Sequence, residues 1–91
     1  RRVVDYDQIS DVFGMVRFSV NLGRNDGMGK VSLADFIIRN ARVRDVSVGK
    51  ITVGDDSSVV EVHKDFGNRM TMDLTKVRHK GKQVRVKVLQ D

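Results

Sequence analysis

The side chains of this chain best suited to chemistry are its cations, and their spacing points to polyanion binding. The stretch KVRHKGKQVRVK, residues 76–87, carries Lys76, Arg78, Lys80, Lys82, Arg85 and Lys87 with no carboxylate among them. A run of one sign attracts phosphate-rich partners; its blander meaning is a solvated surface that keeps a protein in solution. A second basic segment lies earlier in the chain. Residues 15–44 carry six basic and two acidic side chains, and residues 66–91 carry seven and two. Between them residues 45–65 carry two and five, so an acidic segment separates two basic ones within an overall charge of +5. That alternation favours a binding footprint over a merely soluble surface.

Other chemistries fail on spacing. GRNDGMGK, residues 23–30, has the outline of a phosphate-binding P-loop, but Arg24 stands where a glycine is needed and Val31 where a hydroxyl must hold magnesium. The segment reads as a strand-to-helix turn in which Arg24 and Lys30 are placed to touch phosphate. Asp55 and Asp56, with Glu61 nearby, read as solvated turn acids and not as a divalent-ion site. With no cysteine and only His63 and His79, no disulfide frame, zinc cluster, thiol nucleophile or multi-histidine site can be assembled. No nucleophile pairs with a base, so a non-catalytic chain with no metal and no cofactor is expected. No apolar run approaches the length of a membrane-spanning helix, and no signal peptide is visible. A cytoplasmic domain is expected, and the start at Arg1 in place of Met reads as a piece of a longer protein.

The elements that must position these cations follow from apolar periodicity. MVRFSVNL, residues 15–22, alternates strictly, with Val16, Phe18, Val20 and Leu22 inward and Arg17 and Ser19 outward. GRNDG, residues 23–27, ends that strand. Ser32 is the expected N-cap of a helix over residues 33–42, with Asp35 three positions on and Leu33, Phe36, Ile37 and Ala41 as its buried stripe. Residues 48–53 and 58–63 form an antiparallel hairpin around GDDSS. In it Lys50, Thr52, Val59, Glu61 and His63 point outward. Asp65 is expected to cap a second helix carrying Phe66, Met70, Leu74 and Val77, with Met70 and Met72 as core filler. Gly67, Thr71 and Thr75 make that helix weak on propensity. Residues 83–89 form the last strand, with Val84, Val86 and Val88 inward and Arg85 and Lys87 outward.

The order β-α-β-β-α-β predicts an α+β, RRM-like (ferredoxin-like) sandwich: a four-stranded antiparallel sheet with two helices on one face. The other face is left for solvent or ligand, and its outward residues carry a cationic surplus. Residues 15–91 form the domain, and residues 1–14 read as a linker or an appended docking segment.

The pieces Asn21–Gly27, Ser32–Val43, Val48–Val53, Ser58–Val62 and Lys80–Val86, in this order and spacing, resemble the C-terminal RNA-binding domain of DbpA/CsdA-type bacterial DEAD-box RNA helicases. The resemblance covers about residues 15–90. It implies an RRM fold that follows a two-lobed ATPase core in the parent chain and tethers that core to structured RNA. In such relatives the target is a hairpin of large-subunit ribosomal RNA and the role is ribosome assembly; others bind RNA loosely in cold adaptation or RNA decay. One departure from a general RRM stands out. The first and third strands carry no outward aromatic platform, because Phe18 shares the phase of the core. Phosphate contacts and shape recognition are therefore expected, with Arg17, Lys50, Arg85 and Lys87 on the sheet and Arg24, Lys30, Arg78, Lys80 and Lys82 in the loops. The competing expectation is a protein-interaction domain whose sheet is covered by a partner.

Overall fold

The fold comes from a computed structural model that describes residues 14–89. The segment expected to be a linker or docking piece lies, Gly14 excepted, outside the described residues. In chain order the elements are β1 (Met15–Val20), α1 (Lys30–Ala41), β2 (Val48–Val53), β3 (Ser58–His63), α2 (residues 64–76), β4 (Arg78–His79), β5 (Lys82–Gln83) and β6 (Val86–Leu89). Four strands form one antiparallel sheet in the order β2-β3-β1-β6, and β4 pairs with β5 in a small separate sheet. Both helical segments pack on one face. This is the expected α+β, RRM-like sandwich, with a hairpin inserted before the last strand.

Strand alternation makes the core. Phe18 pairs with Val60 and Val88, and Val20 with Ser58 and Val86, so the inward residues of three strands meet under the helices. Phe18, Val20, Leu22, Val60 and Val62 are essentially inaccessible and pack with Leu33, Phe36, Ile37 and Ala41 of α1 and Met70 and Leu74 of α2. Ser58 is buried among them, and its hydroxyl donates to the Leu22 carbonyl at 2.6 Å, which removes the cost of an unpaired polar group.

Several local expectations are corrected. The first helix begins at Lys30, with Gly29 as N-cap. Ser32 sits inside the first turn, and its hydroxyl accepts the Gly29 N–H at 2.7 Å, serving an otherwise orphaned donor from within the helix. The second helix is capped by His63, whose Nδ1 accepts the Asp65 N–H at 3.1 Å, and not by Asp65. It runs as a 3-10 turn (Lys64–Phe66), a π-helical stretch (Arg69–Asp73) and another 3-10 turn (Leu74–Lys76). The Thr71 and Thr75 hydroxyls donate back to the carbonyls of Gly67 and Thr71, at 3.3 and 2.8 Å, which competes with regular α-helical geometry. Packing of Met70 and Leu74 holds the segment. Met72 is 58% exposed and is not core filler.

In β2 a bulge makes Gly49 and Lys50 together oppose Glu61, so Val48 as well as Ile51 turns inward. The last strand is shorter than its alternation suggests. Lys80 and Gly81 both adopt positive φ, 52° and 82°, and close a tight β4–β5 hairpin. The Asn21 side chain then bridges the gap to β6, donating to the Gln83 carbonyl at 3.0 Å and accepting the Arg85 N–H at 2.7 Å. Val88, on the sheet-edge strand, is 42% exposed and not fully inward.

The first turn meets the β2–β3 turn backbone to backbone. Arg24 N donates to Gly54 O and Asn25 N to Asp55 O, both at 2.8 Å. A Cβ on Gly23 would collide with the Gly54 carbonyl and lie 2.5 Å from that of Asp55. Gly23→Ala is expected to destabilise the fold by about 1–3 kcal/mol, the usual cost of overpacking, read as a lower urea midpoint at unchanged slope. An unchanged midpoint would show that this contact is not tight.

Candidate nucleic-acid interface

The loop and the hairpin that carry several of the candidate cations are joined at Asp26. Its Oδ2 accepts the Gly23 N–H at 2.9 Å, and its two carboxylate oxygens lie 3.2 and 3.3 Å from the Lys82 ammonium. Its carbonyl oxygen is 3.0 Å from His79 Nε2, and because a carbonyl only accepts, that nitrogen carries the hydrogen. One residue thus binds its own loop to both strands of the β4–β5 hairpin. The Gly23 N–H above all, then the Lys82 ammonium, hold the Asp26 carboxyl below its ordinary value.

The expected site cations fall into three groups. Arg78, Lys80 and Lys82 share the β4–β5 hairpin. Arg78 Nη1 donates across the turn to the Gly81 carbonyl at 3.1 Å, and Lys82 is engaged with Asp26. The Lys80 ammonium lies over Gly27, where a Cβ would fall 2.9 Å from Nζ. The second group is on the sheet. Register puts Arg17 opposite Glu61 and Leu89, and Ser19 opposite Lys87, so these side chains share the open face; Arg85 stands two residues before Lys87 and is exposed. Lys50 is exposed at the β2 bulge, two strands away from Arg17. The third group is dispersed. Arg24 binds Asp55 through Nε and Nη2 at 3.1 and 2.8 Å and the Val53 carbonyl through Nη1, while Lys30 is exposed at the start of α1. Lys30, Lys80, Arg85 and Lys87 have no carboxylate in ion-pair range among the described residues.

The sheet face departs from its expected openness at one point. Glu61 is only 4% exposed, with Met15 beside it; a Cβ on Gly49 would lie 2.9 Å from Glu61 Oε1 and 2.7 Å from the Met15 methyl. The missing side chain at Gly49 makes room for both, and Oε1 accepts the Lys50 N–H at 3.4 Å. A carboxylate therefore stands between the two expected cations, Arg17 and Lys50, and weakens the positive field at the middle of the sheet. No outward strand residue among those described is Phe, Tyr or Trp.

A groove missed by the sequence analysis lies between α1 and the β4–β5 hairpin. It is a shallow, open groove of about 540 Å³, lined among others by Phe36, Arg39, Asn40, Arg78, His79 and Lys80. His79 stands edge-on to Phe36, with centroids 5.5 Å apart at 81°. The helical spacing of Ser32, Phe36 and Asn40 marks one side of α1, but no local pattern shows that the hairpin folds against it.

Fold and cations define an RRM-like domain whose basic groups sit on loops, a hairpin and a sheet edge, without an aromatic platform among the described strand residues. The family model for the DbpA RNA binding domain matches residues 17–88, and the chain belongs to that family. A search of the curated proteins gives no match. The domain is an RNA-binding domain, as the resemblance implied.

The lowered Asp26 acidity has a pH signature. A carboxyl more acidic in the folded state stabilises the fold above its unfolded value, near about pH 3.9, and loses that contribution as pH falls through its folded value. Asp26→Asn is expected to lower the melting temperature at neutral pH, with the gap to the parent protein closing in acid. A gap independent of pH would contradict the ionic role of this group.

Proposed function

We propose that the domain tethers the ATPase core of a DEAD-box RNA helicase to structured RNA, with a hairpin of large-subunit ribosomal RNA as target and ribosome assembly as the setting. In this reading the core, in the same parent chain, supplies ATP hydrolysis and unwinding, and the domain supplies affinity and placement in the cytoplasm. The observation that carries it is the family match over residues 17–88, which takes in most of the sheet and both helical segments.

The binding mode is set by what the surface offers. Each missing base–aromatic stack withholds about 1–3 kcal/mol, so phosphate contacts must supply most of the affinity. Lys30, Arg78, Lys80, Arg85 and Lys87 are the proposed principal contacts. Arg24 and Lys82 contribute less, since each is held by a carboxylate, and Arg17 and Lys50 flank Glu61.

Five phosphate contacts predict a salt slope of about −3.5, so a fourfold rise in salt should weaken binding roughly 100-fold. Fluorescence anisotropy with a ribosomal-type hairpin RNA measures this directly. Replacing Arg85 and Lys87 together by Ala should flatten the slope to about −2. An unchanged slope would remove these two residues from the interface. Salt-independent binding to a protein, with no RNA shift, would instead support a covered sheet and an interaction domain.

A further inference from the structure

One patch of the sheet face that carries no helix is buried. Met15, Arg17 and Glu61 share that face by register, yet Met15 is 7% and Glu61 4% exposed while Arg17 is open to solvent. Val59 and His63, on either side of Glu61 along β3, are half-buried. Met15 stands apart from the apolar cluster that gathers under the helices, so its burial is not an extension of the core. Gly49 beside the two residues has no side chain to lay over them. A thioether and a carboxylate at the middle of a bare sheet face would be wetted, so this patch requires a cover.

The patch lies at the end of β1 where the chain enters the sheet. Gly14 closes the ladder with β3, its carbonyl accepting the Lys64 N–H at 2.8 Å, and its φ of 80° turns the chain out of the strand line. Residues 1–13, outside the described residues, join the sheet at this point. By sequence they bring six apolar side chains, Ile9, Val12 and Phe13 among them, and the carboxylates of Asp5, Asp7 and Asp11, with Arg1 and Arg2 at the far end. Adjacent strands lie about 4.8 Å apart, so β2 is about 10 Å from β1 across β3. A segment of this length covers that distance even at the helical rise of about 1.5 Å per residue.

We propose that residues 1–13 fold back over the outer face of β1, β3 and β2 and form the cover of Met15 and Glu61. Their apolar side chains pack at Met15 and Gly49, and their carboxylates lie toward Arg17 and Lys50, which are exposed around the patch. An apolar centre ringed by charge is the layout of a packed interface, and the net acidic segment matches the sign of that ring. The cover closes the middle of the sheet to other ligands and leaves Arg85 and Lys87, before and on β6, beyond its edge.

The chain has no cysteine, so Ser10→Cys accepts a nitroxide label at a single site. In NMR spectra of the full chain the label is expected to broaden the Met15 methyl and the Gly49 and Glu61 amides while sparing Met70 and Leu74 under the helices. Broadening that is uniform, or absent from Met15, would overturn the proposal. Oxidation by hydrogen peroxide reads the same cover, with Met72 at 58% exposure and Met70 at 0% as internal standards. Met15 should oxidise as slowly as Met70. Replacing Ile9 and Val12 together by Asp should speed its oxidation about tenfold and leave Met70 unchanged, since attack on a thioether requires access to the sulfur. Continued protection of Met15 in that variant would also overturn the proposal. If Met70 quickens as well, the fold itself has opened, and the label at position 10 decides.

Discussion

Two separate pieces of chain, the loop after β1 and the β4–β5 hairpin, meet at Asp26, and the placement of the candidate basic surface depends on that meeting. The carboxylate takes the N–H of Gly23 and the ammonium of Lys82, and the carbonyl takes the His79 ring nitrogen. The same loop lies backbone to backbone on the β2–β3 turn through Gly54 and Asp55. A two-stranded hairpin as short as β4–β5 does not stand alone in water. Its position comes from Asp26 on one side and, on the other, from the bonds of Gln83 and Val84 to the chain at Thr75 and Val77. Through these links the hairpin is fixed to the edge of the core that Phe36 and Val84 complete.

This arrangement separates two kinds of cation. Arg24 and Lys82 are spent on holding loops together, and their charges are matched by Asp55 and Asp26. Lys30, Lys80, Arg85 and Lys87 carry no such match among the described residues. The acidic middle segment of the sequence thus has a structural use, since Asp55 anchors Arg24 and Glu61 sits in the sheet between Arg17 and Lys50. Of the unmatched cations, Arg85 and Lys87 lie before and on β6 and Lys80 on the hairpin, away from the centre of the sheet, while Lys30 stands apart at the start of α1. The described strands offer no Phe, Tyr or Trp on the open face, so the surface they present to RNA is one of charge and shape.

The sequence carries the fold at the level of strand phase and helical stripe. Val16–Leu22 alternate, Leu33–Ala41 repeat at helical spacing, and the structure packs those residues together with few exceptions. What it does not show are features decided by a second piece of chain. The Val48–Ile51 bulge is visible only when Glu61 stands opposite. Lys80-Gly81 reads as a turn, but the clamp by Asn21, just after β1, joins residues some sixty positions apart. Ser32 and Asp65 are good capping residues by type, yet Gly29 and His63 take those places because the incoming backbone, not side-chain preference, decides where each helix begins. The groove stayed hidden for the same reason: its walls come from α1 and from a hairpin that only tertiary contacts bring beside it.

The affinity of Asp26→Asn for a hairpin RNA puts the central claim at most risk, because two physical effects then oppose each other. The substitution removes a negative charge and frees the Lys82 ammonium, so bare electrostatics demands tighter binding. If Asp26 positions the hairpin that presents Arg78 and Lys80, affinity falls instead, although the net charge has become more positive. Equal or tighter binding by the variant, at a temperature where it remains folded, would contradict the account.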